Sequence, residues 1–173
     1  VGVISMPDRV TADGIAELTP AERTAFRSNV VDRLVVLADD TRAIADRAEA
    51  LAAEAGDPWF DEMADGARVD QHRAEYAAAI YAALLEHAET GSDGGYLATA
   101  DATLTQAQAV VSRRHAALHD PDAARLLDRG SNPTIYQYGY LHWADELCFW
   151  HKERIEAAHV IEGSTETVPG CAY

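Results

Sequence analysis

Lysine is almost missing from this chain. Of 14 basic residues only one, Lys152, is lysine, and they face 29 carboxylates for a formal net charge of −15. Affinity for nucleic acid comes mainly from Lys and Arg neutralising phosphates, so a field of this sign argues against a nucleic-acid partner. The excess of acid suits a protein kept soluble in concentrated salt, where screening relieves its self-repulsion. A GC-rich genome, which favours Ala, Arg and Asp over Lys, accounts for the same composition.

Cysteine is scarce as well. Cys148 and Cys171 are the only two, and they form no metal or redox spacing. Cys148 lies in an apolar stretch and reads as a small core residue. A bond to Cys171 requires the tail to fold back on the last helix and an oxidising compartment. No run of roughly 18 apolar residues is present, so no membrane-spanning helix is expected. No basic segment followed by an apolar one opens the chain, which points to the cytoplasm; a secreted form with its leader removed is the alternative. No segment alternates with the period of a strand. The phosphate loop, the dinucleotide glycine fingerprint, Gly-x-Ser-x-Gly and His-Glu-x-x-His are all absent. So is the pair of Glu-x-x-His motifs, one on each of two helices, that builds a ferritin-like carboxylate site.

What remains is helical. A length of 173 residues with 48% hydrophobic content suits one domain. Residues 1–18 show no sustained period and read as an N-terminal arm. Thr19-Pro20-Ala21-Glu22 is a helix start with an N-cap, a proline at the first position and a capping box. The helix it opens is expected to reach Ala55 and stop at Gly56. Its apolar row is Val30, Leu34, Leu37, Ile44, Ala48, Leu51 and Ala55. Asp57-Pro58 restarts the chain with a short turn from Trp59 to Ala64. A second long helix follows over about 67–89, with Val69, His72, Tyr76, Ala79, Ile80, Ala83 and His87 on one face. The stretch Gly91-Ser92-Asp93-Gly94-Gly95 is a loop. A third helix covers about 97–118, with Leu97, Ala100, Leu104, Ala107, Val111, His115 and Leu118 facing inward. A short helix after Asp120-Pro121 and a last long one from Asn132-Pro133 to about Glu162 complete the domain at 19–163. The tail, 164–173, reads as irregular. The fold class is all-α: an antiparallel bundle of four long helices with one or two short accessory helices.

Chemistry concentrates in the last helix. Tyr136, Tyr138, Tyr140, Trp143, Phe149 and Trp150 sit beside His142, Asp145, Glu146 and His151. His142 and Glu146 share a helical face, and a carboxylate beside a histidine can orient the ring, raise its basicity or join it on a metal. His115 and His119 have the same i, i+4 spacing on the third helix. His115, His119, His142, Glu146 and His151 are therefore the candidate ligands of a divalent transition metal, and the same set suits a small ligand. If the site is catalytic, His142 with Asp145 or Glu146 is its acid–base pair. In the other reading the chain is a non-catalytic helical subunit, and its aromatic C-terminal helix docks a protein partner or a second copy of itself. Leu141, Ala144, Cys148, His151 and Ile155 form the row that this pattern assigns to the core.

Overall fold

A computed structural model describes residues 11–118 and 147–170; of residues 115–118 it describes the backbone. Every regular element among them is helical. The first is α1, Ala12–Ala16, capped by the Thr11 hydroxyl, which accepts from the Gly14 N–H at 3.1 Å. Within the segment read as an N-terminal arm, residues 12–16 are helical and Ile15 is fully buried in the core; residues 1–10 lie outside the described residues. The segment is too short to show a period; Ile15 anchors it, with Ala12 and Leu18 packed beside it against the core.

The capping box at Thr19 forms as the sequence predicts. Thr19 accepts from the Glu22 N–H, and the Glu22 carboxylate accepts from the Thr19 N–H at 2.9 Å. It opens α2, Pro20–Phe26, which passes through a π-helical turn, Arg27–Val31, into α3, Asp32–Ala55. The wide turn adds one residue and rotates Phe26 by roughly 100° relative to an unbroken helix. Phe26 thereby meets Tyr81 edge-on, with ring centroids 5.4 Å apart. Gly56, in the left-handed conformation at φ 64°, ends α3 by donating to the Ala52 carbonyl.

Asp57 caps α4, Pro58–Thr90. The turn expected from Trp59 to Ala64 does not form: Gly66 is absorbed into one uninterrupted helix. The cost of an interior glycine, about 1 kcal/mol, is small beside the packing of a helix this long. Cross-helix ion pairs show that α3 and α4 run antiparallel. Arg27 meets Glu89, Arg42 meets Glu75, and Glu49 meets Arg68. The glycine loop then leads into α5, Tyr96–Leu118. This helix is also antiparallel to α4, as the pairs Glu62–Arg114 and Asp65–Arg113 show. Its inward row is the expected one, with Leu97, Ala100, Leu104, Ala107 and Val111 buried.

The last described helix is α6, Cys148–Glu162. It does not continue an unbroken helix from residue 132: Leu147 before it has φ 43° and ψ 43°, a left-handed residue that no helix passes through. The short helix expected after Asp120 and the helix start at Asn132 lie outside the described residues. The α4 helix is the hub of the fold. It packs against α1, α3, α5 and α6, and from Ala74 to Leu85 nearly every position is buried. No described helix is long and apolar enough to cross a membrane.

Candidate functional site

The α3–α4 seam is lined on α3 by Ala38, Ala45 and Ala48, and on α4 by Ala64, Ala74, Ala78 and Ala82, all buried. Small side chains let two helices approach at the short end of the usual 8–10 Å range. Long polar side chains are then pushed to the seam's flank, and one flank is entirely polar. There Arg68 holds both oxygens of Glu49 at 3.0 Å, reaches Asp46 at 2.5 Å and donates to Gln71 at 2.9 Å. Glu75 accepts from Arg42 at 2.6 Å and from Gln71 at 2.9 Å, and lies 3.0 Å from Nδ1 of the buried His72. Partial burial pushes the Glu75 carboxyl up, but the hydrogen bonds from Gln71, Arg42 and His72 together outweigh it and hold it below the usual carboxylate value. A carboxylate–histidine pair of this kind is the start of an acid–base dyad. Here the carboxylate is already saturated by donors from its own chain.

A second cluster joins α4 to α6. The Arg73 guanidinium grips both oxygens of Glu153 at 2.5 and 2.7 Å. The same guanidinium stands 5.4 Å from the Trp150 ring centroid and 5.8 Å from that of Tyr76. The two rings pack with centroids 5.1 Å apart, and the Tyr76 hydroxyl donates to the Trp150 carbonyl at 2.5 Å. Burial pushes the Tyr76 phenol well above its ordinary value, with the Glu153 carboxylate adding to the shift. A third cluster buries Arg114 of α5 against Glu62 of α4, with the Glu62 carbonyl accepting a further bond at 3.4 Å.

The residues singled out from the sequence fare unevenly. His119, His142, Asp145 and Glu146 lie outside the described residues, as does the side chain of His115, so their convergence on a metal or substrate is not part of the described structure. His151 is described, and it is exposed. Its assignment to the core presupposed one helix through residue 147; the buried side of α6 is instead centred on Trp150 and Ala157, about 100–120° away, and His151's own row is buried only further along, at Ala158. Trp150 belongs to that core and is not an interface ring. Cys148 is disulfide-bonded rather than a free core thiol; Cys171 lies outside the described residues. His72, expected on the inward face of α4, is there, and the donors around Glu75 are what the sequence left unseen.

Sequence reasoning misses one motif. Glu156-Ala157-Ala158-His159 is a single Glu-x-x-His on α6. The His159 Nε2 is 2.7 Å from the Glu166 carbonyl, and Glu156 is 3.9 Å from Lys152. Among the described residues no three His, Cys, Asp or Glu side chains are grouped to hold an ion. Compared with protein-family models, with curated proteins and with solved structures, the chain matches none of them.

Proposed function

We propose that this protein is a non-catalytic helical subunit that works by association. The observation that carries this reading is where its uncovered apolar surface lies. Of the buried polar side chains in the described helices, Gln71, His72 and Thr103 pair within their own helix and Arg114 with Glu62 across a seam, whereas α3 turns Leu37, Ile44, Val35 and Val36 to solvent at about half their full exposure, 49–54%. Trp59 and Met63, at the start of α4, are exposed too. Scattered single apolar residues mean little, but Leu37 and Ile44, seven residues apart, share one face of α3 and mark a candidate interaction surface.

The docking surface expected from the sequence, an aromatic C-terminal helix, moves in this reading to α3. A metal or small-ligand site built from His115, His119, His142, Glu146 and His151 is the competing function, and it has a direct readout. The test compares the native chain with a Leu37→Glu/Ile44→Glu variant by sizing in an extract of the source cells, with the metal content of the purified protein measured alongside. The native chain should run larger than a monomer and the variant as a monomer of unchanged helicity. Equal sizes, or stoichiometric transition metal that is lost with His115→Ala, overturn the reading. The disulfide at Cys148 also weighs toward the secreted alternative over the cytoplasm, because such bonds persist in oxidising compartments.

A further inference from the structure

The exposed side of α3 carries two parallel rows at heptad spacing. One is apolar: Leu37 and Ile44, both exposed, with half-buried Leu51 in α3 and half-buried Val30 in the π-helical turn before it. The adjacent row is charged and alternates in sign: Arg33, Asp40, Arg47 and Glu54, all exposed. Neither arginine has a carboxylate three or four residues away on its own helix, where intrahelical pairs form. Among the described residues neither reaches one on another helix. Every other arginine or lysine among the described residues is ion-paired. In a chain with 29 carboxylates and 14 basic residues, two unpaired arginines on the outer face of the same helix call for an explanation.

We propose that α3 pairs with α3 of a second copy, antiparallel, about a twofold axis beside residues 43 and 44. This rests on the reading of the chain as an association subunit and names its partner. In an antiparallel pair of helices, like rows lie against like rows. With that axis Ile44 meets Ile44 of the second copy and Leu37 meets its Leu51, so the apolar row forms the centre of the contact. Along the rim Asp40 faces Arg47 of the second copy, and Arg33 faces its Glu54. Twofold symmetry repeats each pair, which gives four opposite-charge contacts. A parallel twofold pair puts the charged rows of the two copies on opposite sides of the contact, where they do not meet, so only the antiparallel arrangement gains these pairs. An α3 of 24 residues is about 36 Å long, enough for a two-helix contact at the lower end of stable interfaces.

The test is sedimentation of the purified protein in about 0.15 M KCl, where the Debye length is about 8 Å. Contact pairs persist there while the long-range repulsion between two chains of net charge −15 is much reduced. The native chain should dimerise. Arg47→Glu and Asp40→Arg should each weaken the dimer by roughly tenfold, because each sets like charges face to face twice. The double variant, whose net charge equals the native one, should restore it. If only net charge mattered, Asp40→Arg would tighten the dimer, and that result overturns the proposal. Mild oxidation should cross-link Ile44→Cys between copies but not Leu37→Cys, whose two thiols are on the order of 20 Å apart across this axis. Cross-linking at residue 37 also overturns it. So does a monomer in which the Ile44→Cys thiol resists labelling, since the face is then covered by residues of its own chain. A purified monomer together with a large species in cell extract removes the self-pairing and leaves the association reading standing.

Discussion

Tyr76 shows what a single buried polar group does in this core. Its ring is fully buried, and its hydroxyl has one short bond to the backbone of another helix. Tyr76→Phe should therefore cost about 0.5–1.5 kcal/mol, a fall of roughly 2–4 °C per kcal/mol in a domain of this size. The raised phenol pKa gives the pH dependence. The folded value lies above the unfolded value of about 10, so the contribution of the neutral phenol is complete below about pH 10 and is lost as the pH rises further. Native protein should lose stability in that alkaline window, and Tyr76→Phe should lose less. A thermal melt series from pH 8 to pH 12 checks both. Leu147 balances two terms of similar size. A left-handed backbone costs an ordinary residue about 1–2 kcal/mol, and burying a leucine side chain returns about 1.5–3 kcal/mol. Leu147 is buried, so the burial holds the strain in place. Nothing in the local sequence announces such a residue, because the usual signals, Gly or Asn, are missing at 147.

At the scale of the element, legibility depended on how local the physics was. The caps at Thr19 and Asp57 and the stop at Gly56 were readable, because each depends on atoms within one turn. The inward face of α5 was readable too, since its large residues are the buried ones. The buried face of α3 was misread by one position. Leu37 and Ile44 look like core by hydrophobicity, yet Ala38 and Ala45 occupy it. Close helix pairs select for small size, which a hydrophobic ranking inverts. Neighbouring substitutions expose the inversion. Ala45→Leu should cost about 1–3 kcal/mol by overpacking, whereas Ile44→Ala in dilute monomer should stay within about 0.5 kcal/mol. Chemical denaturation of the two variants side by side distinguishes the seam from the outer face. The same kind of rotation removed His151 from the core: a break at one residue resets the phase of everything after it. The candidate ligands on the third and last helices could be named from spacing, but their convergence depends on helix placement, which spacing does not encode.

At the scale of the whole molecule, charge is the dominant variable. Ion pairs join α2, α3, α5 and α6 to their neighbours, yet 29 carboxylates against 14 basic residues leave a surplus that repels itself. If that surplus is an adaptation to salt, the melting temperature should climb steeply between low and molar KCl, since the Debye length shrinks from about 10 Å at 0.1 M to about 3 Å at 1 M. A flat response assigns the acid to genome composition.

The central position of α4 bears on how the chain can be divided. Its partners lie on both sides of the glycine loop: α1 and α3 before it, α5 and α6 after it. A nick at Gly94, an exposed left-handed glycine, would leave a first piece holding α4 with Val69, Tyr76, Ile80 and Leu84 stripped of cover. The second piece would hold α5 and α6 with nothing to lie on. Each piece has what the other needs, so the two pieces should bind and fold together when mixed, each being unfolded alone.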